Sequence, residues 1–195
     1  MRKLRIGVLG SGKGSNFRAI REAIATGQIE AEVAVVVSDV EGAGILQLAE
    51  EAGVKNTTVT DRRYKTRLSP EVEAELVAIL KQANVELVVL AGYMRMVKTP
   101  LLDAFPRHII NIHPSLLPKF PGLESWRQAL AAGEKIAGCT VHYVDAGMDT
   151  GGIIAQAEVP VRPGDTAETL HTRIQLEEHR IYPEVVARFA RRELP

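Results

Sequence analysis

Short apolar runs alternate with stripes of helical spacing through the first half of this chain, and few folds accommodate that rhythm. Leu4–Leu9 is an apolar run ending in glycines, after which Phe17, Ile20 and Ile24 recur at helical spacing. Residues 31–37 are a second, nearly continuous apolar run, followed by Ile45, Leu48, Ala49 and Ala52 as a helical stripe that ends at Gly53. Thr57, Thr58 and Val59 make a short third strand, and Val72, Leu76, Ile79, Leu80 and Ala83 trace an amphipathic helix. That helix feeds residues 85–91, which read as the central strand. Continuous apolar runs suit strands covered on both faces. Helices between such strands are crossover connections, so the sheet is mostly parallel.

The second half changes character. Residues 125–130 read as a helix ending before Gly133. Residues 138–144 and 153–159 read as two strands joined by a turn too short for a crossover, so they pair antiparallel. Asp165 or Thr166 caps a last long helix that buries Leu170, Ile174, Ile181, Val185, Val186 and Phe189, with some irregularity at Pro183. The expected class is α/β: a Rossmann-like, mostly parallel sheet flanked by helices, with an antiparallel pair near the C-terminal part.

At 195 residues the chain is expected to form one domain, 1–195, able to bury a core without disulfides or metals. Lys plus Arg equals Asp plus Glu at 24 each, so no overall basic field is available to gather nucleic acid. The single cysteine, Cys139, lies in a strand-like run and reads as a small buried hydrophobe, in keeping with a reducing, cytoplasmic setting. No run approaches the roughly 18 apolar residues of a membrane helix, and the start through Arg5 makes a poor signal peptide. A monomer or a homodimer is equally compatible with the composition.

The first turn, Gly10-Ser11-Gly12-Lys13-Gly14-Ser15-Asn16, nearly matches two phosphate-binding signatures and fails both. Gly14 stands where a P-loop needs Ser or Thr after Gly12-Lys13, and the third glycine comes one place too early for a dinucleotide fingerprint. The shared physics survives. Glycines allow close backbone approach, and free amides at a helix N-terminus favour an anion. Ser15 and Asn16 can add side-chain hydrogen bonds or cap the helix; a tight turn without a ligand is the plainer alternative.

The chemistry is expected in residues 111–118, Asn-Ile-His-Pro-Ser-Leu-Leu-Pro. Residues 107–110 read as a short strand entering from a turn at Pro106, and alternation then places Asn111 and His113 on one face with Ile112 on the other. An amide donor beside an imidazole can hold a carbonyl oxygen and stabilise the charge it gains on attack. Taken alone, a histidine at a strand end is more often packed or solvated. Its company here is an Asn two residues earlier, a proline-shaped loop, and an acidic turn at 145–152 that contains Asp149. His142 reads as a structural residue facing a polar neighbour. No His, Cys, Asp or Glu grouping has metal-ligand spacing, so no metal is expected.

Residues 111–122, together with Gly14-Ser15-Asn16 upstream and Asp149 downstream, resemble the folate-dependent phosphoribosylglycinamide formyltransferases of purine synthesis, over nearly the whole chain. The resemblance implies that Asn111, His113 and Asp149 are catalytic, and that Gly14, Ser15 and Asn16 hold the phosphate of the ribonucleotide. Glu178 would meet its ribose, although on the helix alone it reads as a solvated carboxylate. Met94, Arg95, Met96 and Val97, with Asn111, would bind the folate, and Arg67 its glutamate tail. By spacing alone the methionines read as core filler and the basic segment 62–67 as a solvated loop.

The expected reaction is transfer of a formyl group from 10-formyltetrahydrofolate, a co-substrate, to the amine of glycinamide ribonucleotide. Small molecules are thus the partners, with no nucleic acid and no membrane. Asn111 would donate to the developing oxyanion, His113 would face it as a cation and acid, and Asp149 would favour the charged imidazole. Other folate-formyl enzymes, such as methionyl-tRNA formyltransferase or formyltetrahydrofolate deformylase, share the Asn-x-His and Asp pieces. They normally carry a further domain for which this chain leaves no room. A nucleotide-binding module or NAD-linked oxidoreductase on the same fold is disfavoured by the broken fingerprint.

Overall fold

The structure, a computed structural model, describes residues 2–194. It is built as β1 (Leu4–Leu9), α1 (Ser15–Ala25), β2 (Ala31–Ser38), α2 (Gly44–Glu51), β3 (Asn56–Thr58), α3 (Pro70–Gln82), β4 (Leu87–Leu90), α4 (Thr99–Ala104), β5 (Ile109–His113), α5 (Ser125–Ala131), β6 (Ile136–Tyr143), β7 (Ile153–Pro160) and α6 (Ala167–Ala190). The strands form one seven-stranded sheet in the order β3-β2-β1-β4-β5-β6-β7. Pairs from β3 to β5 are parallel, and β5–β6 and β6–β7 are antiparallel. The mixed sheet is the one expected, with β4 at its centre.

Alternation along the strands feeds two cores. Ile6, Val8, Val36, Leu87, Val89, Ile110 and Ile112 meet α1, α2, α5 and α6. On the other face Val35, Val37, Val88, Leu90 and Ile109 meet α3 and α4. Both faces of β4 and of the C-terminal halves of β1 and β2 are therefore dry, which is why these stretches read as apolar runs. Cys139 is buried in the first core, as expected.

Several boundaries differ from the sequence expectation for identifiable reasons. The third strand ends at Thr58, although the Val59 amide still donates to the Ser38 carbonyl at 2.8 Å. The strand expected at 107–110 is β5, and it includes Asn111 and His113 because β6 pairs alongside as far as His113↔Thr140. Arg107, with φ 60°, lies in the left-handed region and cannot join the strand. The short helix α4, opened by Pro100 in its first turn, has too few residues to show a periodic stripe.

Thr166, not Asp165, caps α6, in a reciprocal pairing with Thr169. The Asp165 carboxylate instead accepts from the Arg162 amide at 2.7 Å and pairs with Arg173. Pro183 sits buried inside α6 without ending it. Tyr182, fully buried on the same helix, donates its hydroxyl toward the carbonyls of Leu90 (2.9 Å) and Ile110 (3.1 Å), pinning α6 to the ends of β4 and β5. On the outside, the Trp126 indole of α5 lies flat on the His171 imidazole of α6, ring centres 3.7 Å apart and planes within 3°.

Candidate active site

The order of strands reverses between β1 and β4, and ligand clefts in open α/β sheets form at the carboxyl ends of strands around such a reversal. The glycine turn after β1, residues 92–97 after β4 and the end of β5 all reach this edge.

On β5, Ile110 and Ile112 turn into the first core and leave Asn111 and His113 on the opposite side. The buried His113 ring stands between two acceptors. Its Nε2 is 2.9 Å from the Phe120 carbonyl oxygen, and its Nδ1 is 3.4 Å from Asp149 Oδ2. The ring thus hydrogen-bonds through Nε2 and keeps Nδ1 within ion-pair distance of the carboxylate. Asp149 Oδ2 also accepts from the Gly122 amide at 2.9 Å, and the turn that presents it holds Asp149 at φ 56°. The Asp149 carboxylate is largely enclosed, its side chain 13% exposed.

Asn111 has a second imidazole as partner: its Nδ2 lies 3.2 Å from His142 Nε2. His142 Nδ1 lies 2.7 Å from the Tyr143 carbonyl, and burial pushes the pKa of this histidine down. The hydrogen-bond network therefore assigns a neutral ring with its proton on Nδ1 and the Nε2 lone pair toward the Asn111 amide. One amide hydrogen is thereby held and the other left for a ligand. The separation of 3.7 Å between His142 Nε2 and Asp149 Oδ1 is too long for a hydrogen bond. His142 thus faces a polar neighbour, as its position in an alternating strand suggested.

The loop after β5 is braced from the antiparallel strands. Thr140 Oγ1 donates to the Ser115 carbonyl (2.7 Å) and accepts from the Leu117 amide (3.0 Å), while Gln156 Nε2 donates to the Leu117 carbonyl (3.0 Å). Ser125 ties its far end to the Pro114 carbonyl at 2.8 Å. The Leu117–Pro118 bond within it is cis.

At the glycine turn, Gly14 is the N-cap of α1 with φ 77°, and no side chain caps the helix. Neither Ser15 nor Asn16 caps, because both already lie in the first turn. The N-terminal amides of α1 are thus left to a ligand or solvent. Ser15 lines a recess between α1 and α6 with Arg18 and His179. Asn16 is buried and donates through Nδ2 to Glu178 Oε2 at 3.1 Å, while its Oδ1 has no partner among the described residues. Glu178 is not the solvated carboxylate that α6 alone suggests. It is 5% exposed where α6 packs on α1, and burial, partly offset by the Asn16 hydrogen bond, pushes its pKa up to about 7.

The remaining candidates divide. Met94 is 61% exposed and Met96 half-buried at the cleft edge, whereas Val97 is buried in the α3–α4 core. The Arg95 guanidinium points inward, with Nε 2.7 Å from Asp39 Oδ2, and is thereby withdrawn from a ligand. Arg67 pairs through its backbone with Met96, and its exposed guanidinium lies 4.4 Å above the Tyr64 ring. Among the described residues no cluster of three or more His, Cys, Asp or Glu is placed to share a cation. No helix among them is long and apolar enough to cross a membrane.

The sequence model of the family described as Formyl transferase matches residues 4–186. The chain belongs to the formyl transferase family. Within it, a phosphoribosylglycinamide formyltransferase of Bacillus subtilis (strain 168) is 42% identical over 182 residues, 93% of this chain and 92% of that protein. The trifunctional purine biosynthetic protein adenosine-3 of Drosophila pseudoobscura pseudoobscura is 46% identical over 188 residues, 95% of this chain, which spans only 14% of that relative's length. Among solved structures, glycinamide ribonucleotide transformylase 1 from Symbiobacterium toebii is 53% identical with a TM-score of 0.92, covering 97% of this chain and 89% of its own.

In this formyl transferase, sequence reasoning missed the groups that act through backbone or through distant pairing. The Phe120 carbonyl and Gly122 amide carry no side-chain signal, and the partnership of His142 with Asn111 depends on the β5–β6 register.

Proposed function

We propose that this chain transfers the formyl group of 10-formyltetrahydrofolate to the amine of glycinamide ribonucleotide, in de novo purine synthesis. The observation that carries the reading is the meeting of Asn111, His113 and Asp149 in one enclosed corner, with Asp149 Oδ2 3.4 Å from His113 Nδ1, on the same sheet edge as the uncapped N-terminus of α1. The names of the Bacillus and Symbiobacterium relatives, similar over nearly this whole chain, support the same substrates.

The amide groups around Gly14, Ser15 and Asn16 receive the phosphate, and Glu178 accepts from the ribose hydroxyls. Residues 94–97 line the folate ring, chiefly through backbone and the two methionines, and Arg67 meets the glutamate tail. The substrate amine attacks the formyl carbon, and the carbonyl electron pair moves onto oxygen. The free amide hydrogen of Asn111 and the His113 imidazolium stabilise that oxyanion. Asp149, directly or through water, takes the proton released by the attacking nitrogen. Collapse of the tetrahedral species re-forms the carbonyl and breaks the bond to N10 of the folate, which leaves as the amine by taking up the proton that Asp149 accepted. The nucleophile belongs to the substrate, so no covalent enzyme intermediate forms.

The test is direct. Purified protein is mixed with glycinamide ribonucleotide and 10-formyltetrahydrofolate, without ATP or added metal, and formylated ribonucleotide is followed by mass. Product is expected. Its absence under conditions where the protein is folded overturns the reading.

A further inference from the structure

Asp39, at the end of β2, is buried and joins parts of the cleft that the chain keeps far apart. Its Oδ1 accepts from the Ser11 hydroxyl in the glycine turn, and that hydroxyl oxygen in turn accepts from the Met94 amide at 2.8 Å. Its Oδ2 accepts from Arg95 Nε at 2.7 Å. The other arms of the same guanidinium donate to backbone carbonyls of the next loop: Tyr64, Arg67 at 3.4 Å, and Asp61 at 3.3 Å. Both members of the pair are largely removed from solvent, the Arg95 side chain 14% and the Asp39 side chain 4% exposed.

We propose that Asp39 and Arg95 are positioning residues that lock the folate-side loops, 61–67 and 92–97, to the turn that receives the ribonucleotide phosphate. The proposal rests on the reaction proposed above. A planar guanidinium can satisfy a carboxylate and several carbonyls at once, which a lysine cannot. Held this way, the 61–67 loop presents Arg67 with its guanidinium over Tyr64, and the Met94 and Met96 amides stay bound to Ser11 and to the Thr66 carbonyl. The hydroxyl of Ser11 carries the link to the glycine turn. Neither Asp39 nor Arg95 needs to touch the reacting atoms for this role.

The experiment uses the full chain with Asp39→Asn, Arg95→Met and Arg95→Lys. Initial rates are measured with glycinamide ribonucleotide and two donors, 10-formyltetrahydrofolate and its pteroate counterpart lacking the glutamate. In the variants KM for the glutamate-bearing donor is expected to rise at least about tenfold, the scale of a lost hydrogen bond to a charged group. KM for the ribonucleotide should rise as well, kcat should change less than either, and the preference for the glutamate-bearing donor should shrink. Arg95→Lys should restore little, since one ammonium cannot hold the loop carbonyls. Tryptic cleavage at the exposed basic residues 62–67 should accelerate without substrate present. Unchanged KM values, or a lowered melting temperature with the donor preference intact, overturn the proposal. The proteolysis arm separates the two ideas: a wild-type protein that forms no product refutes the proposed reaction, while unchanged cleavage in the variants refutes the lock.

Discussion

Two imidazoles with different hydrogen-bond partners stand on either side of one carboxylate. His113 meets the Phe120 carbonyl through Nε2 and has Asp149 beside Nδ1, whereas His142 offers a lone pair to Asn111. If Asn111 and His113 stabilise the oxyanion as proposed, kcat is expected to fall by about 10²–10³ for Asn111→Ala, and at least as much for His113→Ala, with circular dichroism unchanged. Near-normal turnover in His113→Ala would show that the chemistry lies elsewhere. Glu178 makes a second prediction. Its carboxyl titrates near 7 instead of the ordinary 4.5, so the folded state binds the proton more tightly than the unfolded one. The stability this contributes is complete below the unfolded value and is lost as pH rises through about 7, by on the order of 3 kcal/mol. Glu178→Gln, neutral throughout, should therefore gain on the parent as pH rises, and denaturant melts across the range would detect it. An equal pH profile in the two proteins refutes the assignment. Asn111 and His113 were legible because alternation alone puts them side by side. Glu178 was not, because its burial depends on α1, and its partner Asn16 is 162 positions away.

The start of helix α1 packs closely against α2 at Gly14. A Cβ at Gly14 would lie 2.9 Å from the Ile45 side chain, and its φ of 77° disfavours any other residue. Gly14→Ala is expected to cost about 1–3 kcal/mol through strain and overpacking and to raise KM for the ribonucleotide by displacing the first turn. Unchanged affinity by calorimetry would separate that turn from phosphate binding. Ser69 is a simpler case: its hydroxyl caps α3, so Ser69→Ala should destabilise by about 1 kcal/mol. Elements longer than two turns announced themselves through apolar spacing, and α3 did so most plainly. The six residues of α4 could not, and the extent of β5 was hidden because its last pairs come from β6, some 30 positions on.

Across the molecule, the parallel part of the sheet ends at β5, which pairs parallel with β4 and antiparallel with β6, and Tyr182 spans the β4–β5 seam from α6. Tyr182→Phe leaves two carbonyls short of a donor and is expected to cost about 1–3 kcal/mol. For a chain of this size each kcal/mol lowers Tm by about 2–4 °C, which calorimetry can read directly. A Tm unchanged by the substitution would mean that the seam is held by packing alone. The overall architecture was legible because crossover helices and continuous apolar strands permit so few arrangements. The joints between distant segments, such as Asp39 with Arg95, were not, since no local pattern couples residues brought together only by the finished sheet.

The face-to-face contact of Trp126 with His171 gives the protein an optical gauge of its own, because this indole is the only one in the chain. Burial holds the His171 pKa below that of a free imidazole, and a protonated imidazole quenches an indole stacked on it. Emission should therefore dim on acidification with a midpoint below about 6.5, and His171→Ala should abolish the step. Trp126 follows directly on the loop whose Phe120 and Gly122 touch His113 and Asp149, so light from one ring reports on how that loop is seated.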